Sequence, residues 1–357
     1  MQIIHDYRAL HAIPELDRTL PKTMHYIRSV LQPLKCAVFS PAEGALCGFF
    51  DYGKSKTIAF RADMDALPIQ EETSLPWASR HPGRMHACGH DGHTAILLEL
   101  ARRLNREKAF AHNILLIFQP AEETDGGAED ICKSGIFQKY GVKEIYGLHL
   151  WPGLKKGQLF SRPGVLMSRA SEIMAAFYGK SVHIANHKKG GDGICACLQF
   201  YRMANKLQRD FPFLLKFGRI SGGTAGNVIC DSAVLWGSVR TFHEEHHRQL
   251  QQSLHILAKN AADQTGCRAS VSFSQGYPMV CNDRALWEKM QKKCPVSKLN
   301  GAFWTTDDFS YYQREIPGIY FLLGVGNTPP LHSSQFAFDE KILINGADFF
   351  DNICKTP

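Results

Sequence analysis

Three short apolar runs in this chain each close on residues with chemistry to offer. Residues 57–61 lead into Arg61-Ala62-Asp63-Met64-Asp65, residues 113–119 lead into Pro120-Ala121-Glu122-Glu123, and residues 144–150 carry Gly147-Leu148-His149. Each run has the length of a strand, and a further apolar run covers residues 45–50. Between the first two lies an amphipathic stretch, residues 92–104, with Ile96, Leu97, Leu100 and Leu104 on one helical face. Strand, helix, strand with reactive groups at the strand ends is the behaviour of an α/β domain. Helices are also predicted over residues 4–11 and 20–31, the second with Pro21 near its start.

The middle of the chain follows another order. A strand at 173–177 leads through a Gly- and His-bearing turn to a helix at 193–207, strands at 213–219 and 233–241, a helix at 246–264 and a strand at 268–274. That β-α-β-β-α-β order predicts a small four-stranded, two-helix α+β domain. A strand at 319–323 and a helix at 345–354 then complete the first domain. The expected fold class is α/β: a domain with a mixed sheet flanked by helices, residues 1–170 and 281–357, interrupted by the α+β domain, residues 171–280. A chain of 357 residues is long enough for two such cores.

Composition narrows the function. Lys and Arg number 41 against 34 Asp and Glu, a net charge of +7. Apart from pairs such as Lys155-Lys156 and Lys188-Lys189 the positive residues are scattered. No basic stripe interleaved with aromatics is present, which argues against nucleic acid and suits an anionic small molecule. No apolar run approaches 18 residues, so no membrane span is expected. The first residues carry charge at once, unlike a secretory signal. The 11 cysteines, odd in number and without C-x-x-C spacing, predict reduced thiols and a cytoplasmic location.

The densest chemical signal is Met85-His86-Ala87-Cys88-Gly89-His90-Asp91-Gly92-His93, just before a helix. Thiolate and neutral imidazole are good ligands for zinc-like ions, and Gly89 lets the backbone turn so that side chains converge. The adjacent carboxylates Glu122 and Glu123 suit a division of labour in which one binds metal and the other is a general base. His149 and His332 supply imidazoles at two further edges. Asp63 and Asp65 share a face if their strand persists that far, where a carboxylate orients a ligand histidine. The plainer alternative is an acid paired with Arg61 in a surface turn. Two other function classes remain open here: a cysteine hydrolase with Cys88 as nucleophile, and a non-catalytic ligand-binding relative.

The collinear motifs RADMDALPI (61–69), MHACGHDGHTA (85–95), FQPAEE (118–123), GLH (147–149), GSVRT (237–241), DDFSYY (307–312) and LH (331–332) resemble the di-metal aminoacylase/carboxypeptidase family. The branch they resemble holds auxin-conjugate hydrolases, hippurate hydrolases and N-acetyldiaminopimelate deacetylases. The likeness runs from HAIPEL (11–16) to His332, nearly the whole chain. It implies two divalent ions (zinc, manganese, cobalt or nickel) on Cys88, His90, Glu123, His149 and His332, with Glu122 as general base. It also implies a catalytic aspartate at Asp63 or Asp65, which the motif does not separate. The inserted domain would be a lid that often forms a homodimer interface. In it His183 would polarise the scissile carbonyl, and Asn227 and Arg240 would hold a substrate carboxylate.

The implied reaction is hydrolysis of a small N-acyl, chiefly N-acetyl, amino acid, with N-acetyldiaminopimelate deacetylation in lysine synthesis as the named alternative. Some positions depart from the family pattern. Ser181-Val182 stand where a second Gly is usual, and Ala185-Asn186 stand where a Tyr-Pro-like pair is usual. Asp307 stands where a Glu is usual, which would shorten or remove that contact. Glu172, in Ala170-Ser171-Glu172, resembles the diaminopimelate deacetylases and would read a distal ammonium.

Overall fold

The computed structural model describes residues 1–107 and 109–355. The chain divides into two compact units, one of Met1–Leu166 with Val280–Gly301 and the segment from Asp307 onward, the other of Met167–Met279 with Ala302–Thr306. Among the described residues no helix is long and apolar enough to cross a membrane.

The large unit is built on an eight-stranded mixed sheet. Its centre is four parallel strands in the spatial order Asn113–Gln119, Thr57–Asp63, Val142–Pro152 and Gly318–Gly326. Leu46–Phe50 pairs antiparallel beside Asn113–Gln119, and Leu159–Ser161 does so beside Gly318–Gly326, which makes the sheet mixed. Every residue of Thr57–Asp63 and Asn113–Gln119 is buried, as expected for parallel strands covered on both faces. In register, Asp63 lies beside Gln119 and Arg61 beside Gly147. The carboxyl ends of three neighbouring strands therefore present Asp63, the Glu122-Glu123 pair and His149 on one rim, where ligands bind in open α/β sheets.

Two strand limits differ from the sequence reading, and both affect the site. Thr57–Asp63 stops before Asp65, so the two aspartates do not share a strand face. Val142–Pro152 runs on past His149, which therefore sits inside a paired strand opposite Leu322 rather than at a loose end.

The helix His90–Arg106 packs behind this rim. Ala95, Ile96, Leu97, Leu98, Leu100, Ala101 and Leu104 are all buried in the large core. It starts at Gly89, whose φ of +86° is left-handed; a side chain there would also press to 3.0 Å on Leu150. Glycine is required at this turn for both reasons.

The small unit is a four-stranded antiparallel sheet in the order Arg268–Phe273, Arg169–Tyr178, Ser232–Thr241, Phe213–Gly222. The helices Gly193–Asn205 and Glu244–Thr265 pack on it around Phe177, Phe200, Leu235, Val239, Leu250 and Leu254. Buried Ile173 and Ala175 alternate with exposed Glu172 and Met174, the period of two expected of a sheet with one covered face, and the small Ala176 is buried as well.

Leu97, on the helix His90–Arg106, is fully buried in the large core. Leu97→Ala is expected to cost the large unit about 2–5 kcal/mol, read as an earlier transition in urea; an unchanged midpoint would contradict the packing described.

Candidate metal centre

His90 opens its helix, and its Nδ1–H donates to the Asp65 carbonyl at 2.9 Å. His149 does the same from its strand, Nδ1–H donating to the Leu150 carbonyl at 2.7 Å. Each backbone acceptor fixes Nδ1 as a donor and turns Nε2 inward. The Nε2 of His149 lies 3.4 Å from the Cys88 sulfur. The Nε2 of His90 lies 3.8 Å from Glu123 Oε1, and both of these buried atoms lack a hydrogen-bond partner among the described residues. His332 Nε2 comes within 3.2 Å of the same Glu123 oxygen without the alignment of a hydrogen bond.

Donor atoms of Cys88, His90 and His149 lie within 4.8 Å of one another, as do those of Cys88, Glu123 and His332. The two trios share the Cys88 sulfur, and a third, His90 with Glu122 and Glu123, places Glu122 beside them. Buried polar atoms that converge with few hydrogen-bond partners, as His90 Nε2 and Glu123 Oε1 do, are costly unless a further group bridges them. Sulfur, imidazole nitrogen and carboxylate oxygen together make a donor set that a zinc-like ion fits.

The backbone at this rim is held against its own preference. His332 has φ of +64°, and Ala121, just before Glu122, has φ of +59°. Non-glycine residues adopt that region only when their surroundings enforce it. The His332 amide bonds the Ala87 carbonyl at 2.9 Å, which brings its loop against the Cys88 loop. The amides of Glu122 and Glu123 both donate to the Asp65 carboxylate, at 3.1 and 3.0 Å. Asp65 thus sets the two glutamates. Asp63 has a different task, accepting from Arg61 at 2.6 Å and from His93 Nδ1 at 2.5 Å.

Arg61 is fully buried, which overturns the reading of a surface turn. Its guanidinium reaches Asp63, Asp308 at 2.7 Å and Gln119 at 2.8 Å. Asp307 lies 3.4 Å from Arg61, accepts from the Phe309 amide at 2.8 Å and pairs with the Tyr320 hydroxyl. Carboxylate oxygens of Glu122, Asp307 and Asp308 fall within 4.8 Å of one another. Burial, then Asp307 and Glu123, push the Glu122 carboxyl well above its usual range. Burial also carries Asp308 up to about 7, against the pull of Arg61.

Cys88 is a poor nucleophile here. Burial and the charges of Glu123 and Glu122 hold its thiol well above the usual range, and burial holds His149 neutral. A thiolate–imidazolium pair needs the opposite environment.

Residues 59–356 match the sequence profile of peptidase family M20/M25/M40. The chain belongs to that family. It is 34% identical to the N-acetyldiaminopimelate deacetylase of Shouchella clausii over 362 residues, covering 96% of this chain and 94% of that protein. It is 32% identical over 372 residues to an uncharacterized hydrolase of Staphylococcus epidermidis, covering 98% and 96%. Among solved structures it is similar to the Bacillus subtilis YXEP protein, a dinuclear metal-binding peptidase of the M20 family. The TM-score is 0.88 at 29% identity, covering 100% of this chain and 98% of that one. The M20 chain described here is an enzyme, a hydrolase of mixed α/β fold.

The remaining sequence-predicted residues lie in the small unit. His183 and Asn227 are exposed and adjacent: His183 bridges Val228, and the Ile184 amide donates to the Asn227 carbonyl at 3.0 Å. Arg240 is half-buried, with its guanidinium on the Trp304 carbonyl. Glu172 is exposed opposite Ser238, on the strand beside Arg240's own.

Sequence reasoning missed the supporting groups Arg61, His93, Asp308 and a second buried cluster around His11. His11 Nδ1 lies 2.6 Å from Asp91 and its Nε2 lies 3.2 Å from Glu71. The signal was present as charged residues inside otherwise apolar motifs. Burial disfavours the His11 imidazolium, but Asp91 and Glu71 outweigh it and hold its pKa up to about 10. A raised folded-state value stabilises fully below the unfolded value near 6.5 and is lost as pH climbs towards 10. Stability is therefore expected to fall by a few kcal/mol across that window. In His11→Gln that part of the slope should vanish in chemical denaturation measured from pH 6 to 10.

Proposed function

We propose that this enzyme hydrolyses the amide bond of small N-acyl amino acids, chiefly N-acetyl ones, releasing a carboxylic acid and a free amino acid. The observation that carries the reading is the pair of donor trios sharing Cys88 with Glu122 alongside. In this reading Cys88, His90, Glu123, His149 and His332 would hold two divalent cations drawn from zinc, manganese, cobalt or nickel. When bound, such ions supply Lewis acidity to water and to an amide carbonyl.

The protein's own part is proton handling and positioning. Glu122 takes a proton from water as the water oxygen bonds to the acyl carbon, and passes it to the nitrogen as the C–N bond breaks. A carboxyl whose surroundings favour the protonated form suits that return step. Asp65 keeps Glu122 and Glu123 in place through their amides, and Asp63 steadies the histidines.

The small unit takes the role of a lid. His183 is assigned to the carbonyl oxygen, where negative charge develops. Arg240 offers a planar fork for the substrate's α-carboxylate, with Asn227 beside it in that role. Glu172 is assigned to a distal ammonium, which favours N-acetyldiaminopimelate among the candidates, in line with the Shouchella clausii relative.

A second copy of the chain is the proposed partner, docked on the small unit. Ile194, Leu198 and Tyr201 follow one another at helical spacing and are 43%, 48% and 43% exposed. Beside them Phe213–Gly222 is an edge strand with exposed Ile220, and a long open edge invites pairing. The eleven cysteines are all free, which supports a reducing compartment, the cytoplasm.

The experiment is amine release from a panel of N-acetyl amino acids, with added Zn²⁺ or Mn²⁺ and a chelator control. Glu122→Gln is expected to keep its metal content while losing at least about a hundredfold in turnover; near-full rate would remove Glu122 from the role. Arg240→Ala should raise KM for carboxylate substrates far more than for their amides, and equal effects would sink the carboxylate assignment. Leu198→Lys is expected to shift the protein from dimer to monomer in sedimentation.

A further inference from the structure

His93, the third histidine of the Met85–His93 motif and on the first turn of the helix His90–Arg106, lies with Asp63 and His90 in a donor trio of its own and reads at first sight as another metal ligand. Its hydrogen bonds say otherwise. Asp63 is buried and held by Arg61, so its carboxylate is an acceptor, and His93 Nδ1 at 2.5 Å must carry the proton. The Leu150 amide donates to His93 Nε2 at 2.9 Å, so that nitrogen must present its lone pair. One ring nitrogen is committed as donor and the other as acceptor, which leaves no lone pair for a cation. Ligation through Nε2 would orphan the buried Leu150 amide, at the cost of an unpaired donor.

The same residue, Leu150, holds His149 from its other side. Its carbonyl accepts His149 Nδ1–H at 2.7 Å, and the His93 and His149 rings meet edge to face at 4.5 Å. We infer that His93 is a positioning residue. The line Arg61–Asp63–His93–Leu150 fixes the peptide following His149 and so aims the His149 Nε2 at the Cys88 sulfur. This rests on the metal-site reading proposed above, and extends it to a residue that binds no ion.

Two polar variants separate the roles. His93→Asn retains a donor at the Nδ1 position for Asp63 but cannot reach Leu150. His93→Gln reaches the Nε2 position, where its Oε1 accepts from the Leu150 amide. Zinc content per chain and the Zn²⁺ dissociation constant, from competition with a chromophoric chelator, are measured for both and for the unmodified protein, with thermal melts of the metal-free forms. The expected result is a 10–100-fold weaker zinc affinity in His93→Asn, the range for partners that orient a ligand, and recovery to within a few-fold in His93→Gln.

Equal loss in both variants would overturn the inference in favour of direct ligation, since neither amide replaces imidazole as a ligand. Unchanged affinity in His93→Asn would overturn it in favour of simple packing. If the unmodified protein binds no zinc, the metal-site reading itself fails, and that is seen before any variant is compared.

Discussion

A fully buried arginine stands at the junction of the elements that make the rim. The Arg61 guanidinium touches Asp63 on its own strand, Gln119 at the end of the next strand, and Asp308 before the helix Phe309–Glu315. Taking such a charge out of water costs several kcal/mol, recovered only when its donors are matched with good geometry. That demand ties together segments far apart in sequence. Asp308 in turn accepts from the Gln119 side chain and from the Ala128 amide, so the loop carrying Glu122 is pinned on both sides. Replacing any one member leaves a buried polar group short of a partner, and the shared contacts couple these residues.

Above this base lies an excess of negative and lone-pair groups. Cys88, Glu122, Glu123, Asp307 and Asp308 lie in overlapping groups, with Arg61 and a set of histidines close by to offset them. Such a cluster relieves itself by keeping protons, which is the sense of the raised Glu122 and Cys88 values. The polypeptide accepts this frustration because it is enforced by a rigid frame: strand ends in register, left-handed Ala121 and His332, and amides gathered by Asp65. Sites that bind cations are built by this kind of preorganised repulsion, which a positive ion then relieves.

Much of this was legible in the sequence for a simple reason. Apolar runs ending in His, Asp and Glu mark where a sheet delivers chemistry to its edge, and Cys88-Gly89-His90 marks a turn into a helix. The supporting residues were harder to read. Arg61 looks like a surface charge until both of its strand neighbours are known to be buried. His93 looks like a ligand until Leu150 is found beside it. Asp307, one methylene shorter than the usual residue, still reaches the Arg61 network, because Tyr320 and the Phe309 amide draw it in.

By itself the sequence determined the α/β character, the main strands and helices and the family, since periodicity and motif spacing are local properties. Tertiary structure alone decided which aspartate does what, which histidine nitrogen faces inward and which charges are buried. Those outcomes depend on strand register and on contacts between residues such as Arg61 and Asp308, or His93 and Leu150, separated by many positions in the chain. A protonation state follows from the partner opposite, and the fold chooses that partner.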